Sequence, residues 1–184
     1  LDAGDAPVYI GFGSMVSGDM GELAEIIRQA VKLSGVRAVV ALGWGQQEAK
    51  TKDTNIFYVK SVPHDWLFPH MAGAVHHGGA GTTATSLRHA LPTLVVPFGG
   101  DQPFWAERVY AAGCGPKAIP RDKLTAENLA EGLRALISNP EYTRNAACIG
   151  EALRNEHGCA NAADLIEKAV WDWENGNPAQ DGMN

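Results

Sequence analysis

The chain has 184 residues, 45% of them hydrophobic and 20% charged, which is enough apolar side chain to bury one sizeable core. Its formal net charge of −6, with no basic stripe along the chain, argues against a nucleic-acid-binding surface. No apolar run approaches the roughly 20 residues of a membrane-spanning helix, and the three cysteines lack metal-ligand spacing, so we expect a cytoplasmic domain with reduced thiols.

Short apolar runs and amphipathic segments alternate along most of the chain. The predicted strands are residues 8–13, 37–42, 56–60, 73–77, 93–98 and a last short one at 115–120. The predicted helices are residues 17–35, 81–91, 101–113, 125–138, 139–156 and 159–174. Asp19 and Glu22 form a capping-box pattern in the first helix, and Thr125 marks the start of the fourth.

This alternation predicts an α/β fold, a Rossmann-like parallel sheet with helices on both faces, because parallel strands need crossover connections and helices usually supply them. Such sheets bind ligands beyond the carboxyl ends of their strands, so the loops after the strands are the places to look for a site. Because the chain begins at Leu1 in a polar stretch, we expect a fragment of a longer protein, with a linker remnant at residues 1–6, one ligand-binding domain at 7–173 and a flexible tail at 174–184.

The stretch "HHGGAGTT", residues 76–83, joins a predicted strand to a predicted helix. A glycine-rich entry to a helix offers free backbone N–H groups and the positive end of the helix dipole, which suit an anion and most naturally a phosphate. No Asp or Glu occurs between Trp66 and Gly100, although the chain has 21 of them. Taken alone, the glycines are also explained by a tight turn with Thr82 or Thr83 as the helix cap.

Two common nucleotide motifs are absent. The stretch "GFGSMV" has Val16 where a dinucleotide fingerprint needs a third glycine, and the second strand lacks the acidic residue that holds an NAD ribose. The loop "GGAGTT" lacks the lysine of a P-loop. We therefore expect neither a dinucleotide site nor an NTPase, and a dehydrogenase is the weakest alternative.

Several motifs resemble one family in their order and spacing. The stretch "PVYIGFGSM" and the run from "VPHDWLFPHMAGAVHHGGAGTT" through "GGDQPFWAERVYAAGCGPKAIP" resemble the C-terminal, nucleotide-sugar-binding half of GT-B glycosyltransferases of the UDP-glycosyltransferase superfamily. The nearest group is the sterol 3-beta-glucosyltransferases. The resemblance extends over residues 7–120.

The resemblance implies a site for a UDP-sugar. The diphosphate would be held by a histidine and by the amides and hydroxyl of the glycine loop, at His77, Gly79, Ala80, Gly81 and Thr82. Ser14 would face the β-phosphate from the other side. The backbone of Val62 would bind the uracil edge, His64 would border the base, and Trp44 or Trp66 would stack or pack nearby.

Asp101 and Gln102 correspond to the family's pair that binds sugar hydroxyls, since a carboxylate and an amide can together accept and donate hydrogen bonds. Asp101 alone could equally be a helix N-cap. The chain departs from the pattern at Thr85, where plant members have a glutamate that holds the ribose.

The implied activity is an inverting, metal-independent transfer of glucose from UDP-glucose to a hydroxyl of a lipophilic acceptor, a sterol being favoured. No cofactor is expected. The general base would be a histidine of an N-terminal acceptor domain, so no catalytic residue is assigned in this chain, which we expect to be inactive alone. The implied partners are UDP or UDP-glucose, that acceptor domain and the acceptor, with a peripheral membrane contact of the full-length enzyme left open.

Two alternatives stay open. One is the same family with a polyketide or peptide aglycone as acceptor, because the acceptor pocket lies mostly in the other half. The other is a UDP-binding module that has lost catalysis. The pair Asp101 and Gln102 argues against this module, since a protein that binds only UDP needs no sugar contacts.

Overall fold

A five-stranded parallel sheet forms the centre of the protein in a computed structural model that describes residues 4–13, 20–41 and 55–176. The strands are β1 (Val8–Gly11), β2 (Ala38–Ala41), β3 (Ile56–Val59), β4 (Gly73–His76) and β5 (Thr93–Val95). Their order across the sheet is β3-β2-β1-β4-β5, and every neighbouring pair is parallel. The predicted Rossmann-like α/β fold is confirmed, and its carboxyl edge gathers the loops after the strands.

Seven α-helices are described within those residues. They are α1 (Met20–Ser34), α2 (His64–Leu67), α3 (Ala80–Arg88), α4 (Gln102–Ala111), α5 (Ala126–Ser138), α6 (Pro140–Arg154) and α7 (Gly158–Glu174). Single 3₁₀ turns at Phe68–His70 and Arg121–Lys123 complete the elements.

Side chains alternate between the two faces of the sheet and build a core on each. Ile10 and Val75 are buried in the core that α1 and α5 cover. Tyr9 and Ala74, one position earlier in each strand, belong to the core on the opposite face, beneath Leu67 of α2. Both faces of the central strands are therefore covered, as expected for short, uniformly apolar parallel strands.

The predicted start of α5 is confirmed in atomic detail. Thr125 is the N-cap residue, and its hydroxyl accepts a hydrogen bond from the amide of Asn128 at 3.3 Å. The Asn128 side-chain oxygen accepts in return from the amide of Thr125 at 2.9 Å. This reciprocal capping box satisfies two amides that a helix start would otherwise leave unpaired.

The prediction of a strand at residues 115–120 is wrong. The segment runs beside β5, and the amide of Ile119 donates to the carbonyl of Val95 at 3.1 Å, but no strand forms. Pro116 and Pro120 lack the N–H groups that a continuous ladder requires. The predicted strand 93–98 is likewise shorter, because β5 ends at Val95, two residues before Pro97.

The last helix, α7, belongs to a second compact unit, residues 154–184. Its large apolar side chains, including Leu165 and Trp173, are exposed within the described part of the chain. Asn175 and Gly176 form a turn after it, and the rest of the predicted tail lies outside the described residues. Across residues 4–13, 20–41 and 55–176, no helix is long and apolar enough to cross a bilayer.

Candidate functional site

The connection from β4 to α3 lies at the carboxyl edge of the sheet, beside the end of β1. Strand β4 ends at His76, which pairs with Gly11 of β1, and α3 begins at Ala80. A Cβ atom added at Gly13 would lie 3.3 Å from Cε1 of His77. The loop after β1 therefore meets the loop after β4, although the two are separated by more than 60 residues in sequence.

His76 is fully buried and its ring is fixed by the loop. Its Nδ1 accepts a hydrogen bond from the amide of Gly78 at 3.0 Å. Its Nε2 is buried and makes no hydrogen bond to a described residue. Burial, with smaller effects of the neighbouring His77 and His64, lowers the pKa of His76 to about 3. The ring is therefore neutral near pH 7, and its proton belongs on Nε2 because Nδ1 is an acceptor.

His77 is partly buried and wedged between two glycines. Its ring faces Gly13 on one side, and its Nε2 would lie 2.6 Å from a Cβ atom at Gly79. Its Nδ1 is buried without a hydrogen bond to any residue of the described part. Burial lowers the pKa of His77, and the negative charge of Asp101 opposes that shift. At neutral pH the ring is an uncharged group with one N–H donor.

Two glycines of the loop are required by their surroundings. Gly78 has a φ of +90°, and a Cβ atom there would lie 2.6 Å from Cγ1 of Val95. Gly79, the N-cap of α3, leaves room for the His77 ring. Gly81 differs, because a Cβ atom there would have nothing within 4 Å. Gly78 lets the backbone pack closely against Val95, and Gly79 lets it pack closely against the His77 ring, whereas Gly81 faces open space.

The first turn of α3 leaves a row of backbone donors unpaired. Within the described residues, four successive amides make no hydrogen bond, those of Gly79, Ala80, Gly81 and Thr82. The first bonded amide is that of Thr83, which donates to the carbonyl of Gly79 at 2.9 Å. The N-cap residue is Gly79, which has no side chain that could accept from these amides. The alternative in which Thr82 or Thr83 caps the helix is therefore wrong. Such a row suits an anion.

The second loop, between β5 and α4, contains Asp101 and Gln102. Gln102 is buried, and its Oε1 accepts hydrogen bonds from the amides of Phe98 at 2.7 Å and Gly99 at 3.2 Å. Asp101 is exposed at the N-cap position but does not cap the helix with its side chain. Its Oδ2 instead accepts from Nε1 of Trp105 at 2.8 Å. The structure thus leaves the Asp101 carboxylate facing solvent, close enough to His77 to influence its pKa.

The predicted base-binding segment packs beside β1 and β4. His64 Nε2 lies 3.0 Å from the hydroxyl of Tyr9, and its ring stacks on Phe68 with centroids 4.5 Å apart. Burial lowers the pKa of His64 and raises that of Tyr9 to about 12. Val62 is partly buried, and its backbone amide and carbonyl make no hydrogen bond to a described residue.

Other predicted residues are placed differently. Trp66 is 59% exposed, and together with the side chain of Val62 it lines a cavity of about 340 Å³ between β2, β3 and α2. Thr85 donates its hydroxyl proton to the carbonyl of Gly81 at 2.9 Å. Ser14 and Trp44 lie outside the described residues. Within residues 4–13, 20–41 and 55–176, no group of three His, Cys, Asp or Glu side chains could hold a metal ion.

Sequence reasoning gave no role to His76 or Tyr9. The signal was available for His76, because alternate residues of a strand share a face. Ala74 and His76 therefore point to the side of the sheet opposite Val75, so the two adjacent histidines could not have the same environment.

Comparison with known proteins gives a consistent set of relatives. Residues 25–166 match the family model described as the erythromycin biosynthesis protein CIII-like C-terminal domain. Over 170 residues the chain is 43% identical to sterol 3-beta-glucosyltransferase UGT80B1 of Arabidopsis thaliana, covering 91% of this chain and 28% of that protein. It is 42% identical over 167 residues to the sterol 3-beta-glucosyltransferase of Kluyveromyces lactis, covering 86% of this chain and 14% of that protein.

Solved structures share the fold. The glycosyltransferase of kitacinnamycin matches with a TM-score of 0.77 at 24% identity, covering 90% of this chain and 44% of that one. The glycosyltransferase VinC in complex with DTDP matches with a TM-score of 0.65 at 28% identity, covering 82% of this chain and 39% of that one. The chain thus spans less than a third of the curated relatives' length and under half of these solved chains.

Proposed function

Because the chain belongs to the family of erythromycin biosynthesis protein CIII-like C-terminal domains, matched over residues 25–166, we propose that it binds the sugar donor of a glycosyltransferase, UDP-glucose. One observation carries the proposal. Four successive amides, from Gly79 to Thr82, make no hydrogen bond within the described residues, and they begin beside the His77 ring, whose Nε2 would lie 2.6 Å from a Cβ atom at Gly79. Although the protein is acidic, the β4–α3 loop presents backbone N–H donors and an uncharged histidine. This loop lies at the carboxyl edge of the sheet, where such folds bind ligands.

The diphosphate fits this surface through its charge. Backbone amides at a helix start and the helix dipole favour an anion even without a positively charged side chain. A neutral His77 would add an N–H donor, and Gly81, where a Cβ atom would have nothing within 4 Å, would let phosphate oxygens approach the backbone. Ser14 and Trp44 remain predicted contacts of the β-phosphate and the base.

The sugar and base would lie on either side of the diphosphate. Asp101 would accept hydrogen bonds from sugar hydroxyls, and this role is supported by its exposed carboxylate, whose negative charge acts on the pKa of His77. Gln102 remains a predicted sugar contact, but its oxygen is occupied by the loop amides, so only its NH₂ group is available. Val62 and His64 would border the uracil through the open backbone and the fixed ring.

The same groups would assist the reaction. Breaking the bond from sugar C1 to phosphate builds negative charge on the departing UDP, and preorganised amides with the His77 N–H would stabilise it. In this proposal no metal takes part, and the transfer inverts the configuration at C1 of the sugar. A base outside this chain, on an N-terminal acceptor domain, would remove the proton from the attacking hydroxyl.

The proposed acceptor is a sterol. Its support is the similarity to proteins named sterol 3-beta-glucosyltransferases, at 43% and 42% identity, against 24% for the glycosyltransferase of kitacinnamycin. The alternative of another aglycone would be favoured if the full-length enzyme glucosylated polyketides faster than sterols.

Calorimetric titration with UDP and UDP-glucose tests the donor proposal. We expect both to bind, with UDP-glucose the tighter, and we expect Asp101→Ala to remove the difference while leaving the affinity for UDP unchanged. Trp105→Phe is a matched control, because it removes the indole donor to Asp101 but retains the carboxylate. If the sugar adds no affinity in the unmodified protein, the chain does not distinguish a sugar donor from UDP and the proposal fails.

A further inference from the structure

We propose that His76 is a positioning residue of the glycine loop: by accepting the hydrogen bond of the Gly78 amide, it sets the direction in which the following amides point. The proposal rests on the proposed donor function, because it assigns these amides to the diphosphate. It concerns a residue that makes no contact with the ligand itself. His77 is the phosphate contact, and His76 acts through Gly78.

His76 is held rigidly enough to serve as an anchor. As the last residue of β4, it pairs with Gly11 of β1, and its carbonyl accepts from the amide of Val96 at 2.9 Å. Its side chain is fully buried. The ring thus has a fixed position relative to the ends of β1, β4 and β5, and it transmits that position to Gly78 through the 3.0 Å hydrogen bond.

Gly78 needs such a partner because its backbone is unusual. It has a φ of +90° and lies against Val95 and the carbonyl of Gln102, so its amide is buried rather than solvated. A buried amide without an acceptor is unfavourable, and the peptide would rotate to find one. Rotation there would turn the chain between His77 and Gly79, which begins the row of unpaired amides.

The hydrogen bond also fixes the state of the ring. Nδ1 accepts a backbone N–H and so cannot hold a proton, which leaves the neutral form with its proton on Nε2. A protonated ring would place two N–H groups against each other. Histidine is therefore used here as an acceptor on a rigid ring, and neither acid-base catalysis nor a positive charge is required of it.

Two substitutions separate the acceptor from the rest of the ring. In His76→Asn the side-chain oxygen can occupy the position of Nδ1 and accept from Gly78, whereas His76→Gln carries its amide near the position of Nε2. Both remove the ring and leave a comparable cavity. We expect His76→Asn to bind UDP within about threefold of the unmodified protein. His76→Gln should bind about tenfold more weakly than the unmodified protein, a loss of about 1.4 kcal/mol. Thermal unfolding of each variant identifies any general loss of stability.

Nuclear magnetic resonance of the ligand-free protein tests the anchor independently of UDP. We expect the imidazole proton of His76 on Nε2, and a slowly exchanging Gly78 amide that is retained in His76→Asn and lost in His76→Gln. A proton on Nδ1, a freely exchanging Gly78 amide in the unmodified protein, or equal loss of UDP affinity in the two variants would overturn the assignment. If the anchor is found but UDP does not bind even the unmodified protein, the donor function fails and the His76–Gly78 contact stands.

Discussion

The two glycine-rich loops at the carboxyl edge have similar compositions but use their backbone donors differently. In the β4–α3 loop, the amides from Gly79 to Thr82 have no partner among the described residues. In the β5–α4 loop, the amides of Phe98 and Gly99 are both bonded to the side chain of Gln102. Within the described residues, the first loop therefore leaves four successive amides without a partner, whereas the second bonds two of its amides to its own glutamine and exposes the Asp101 carboxylate.

The difference lies in which side chain occupies the loop. A buried histidine in the first loop binds a single amide, that of Gly78, before the helix begins. In the second loop, the buried side chain of Gln102 accepts hydrogen bonds from two amides, those of Phe98 and Gly99. A glycine-rich sequence therefore indicates an anion site only when several of its amides have no acceptor among the nearby side chains. The following substitutions test this contrast, beginning with the largest expected effect.

Gly78→Ala should damage the first loop most. The added Cβ atom would lie 2.6 Å from Cγ1 of Val95 on a backbone with φ of +90°. Strain and overpacking together should lower the free energy of unfolding by about 3 kcal/mol, measured in urea. Gly81→Ala is the control within the same loop, where the Cβ atom meets nothing within 4 Å. Equal destabilisation by the two would contradict the distinction between the glycines.

Gln102→Ala should destabilise the second loop, between β5 and α4. It would leave the amides of Phe98 and Gly99 without an acceptor, and we expect a loss of about 2 kcal/mol of stability with faster hydrogen exchange at both. Gln102→Glu retains an acceptor oxygen and should retain slow exchange at these amides. Asp101→Ala, at an exposed position, should change stability by less than about 0.5 kcal/mol. Slow exchange persisting in Gln102→Ala would show that the loop is held in another way.

His77→Ala should weaken UDP binding about tenfold, equivalent to about 1.4 kcal/mol, because it removes a donor that the first loop reserves for the ligand. Stability should fall less than in Gly78→Ala, since Nδ1 of His77 has no partner among the described residues. Calorimetry provides the affinity, and Asp101→Asn in the second loop is the control expected to leave UDP binding unchanged. Unaltered affinity in His77→Ala would remove the phosphate assignment.

Acid should weaken the first loop before the second. The pKa of His76 is lowered to about 3 by burial, with smaller effects of His77 and His64, whereas an unfolded histidine has a pKa near 6.5. The unfolded chain therefore binds the extra proton, so this contribution is complete above pH 6.5 and is lost as the pH falls. Between pH 6.5 and 5.5 we expect a loss of about 1 kcal/mol in the free energy of unfolding. Urea titrations of His76→Asn should show a shallower dependence, and an identical slope would contradict the assignment.

The sequence predicted most of the fold because its signals were local. Apolar runs and helical spacing located the strands and helices, and the Thr125 cap marked one start accurately. The ends were less predictable. Strand β5 ends at Val95 and residues 115–120 form no strand, since prolines deprive both segments of ladder donors. Single prolines change boundaries without changing the apolar pattern.

The site was only partly predictable, because its decisive contacts are between loops. The motif located His77 and the glycine-rich approach to α3, but it did not show that Gly79 rather than a threonine is the N-cap residue. Nor could it show that the oxygen of Gln102 is occupied by Phe98 and Gly99. These contacts depend on how each loop folds back on itself, which composition does not specify. The assignments of individual residues to the UDP-sugar stay predictions.

The pairing of β1 with β4 has a consequence for folding. It aligns Val8 with Gly73, two residues far apart in the chain, and only this alignment brings Gly13 against His77. A donor site that includes both loops, as proposed, therefore does not exist in any state in which these strands are unpaired, and it is complete only after that non-local step. UDP should consequently slow the unfolding rate of the domain while leaving its folding rate nearly unchanged.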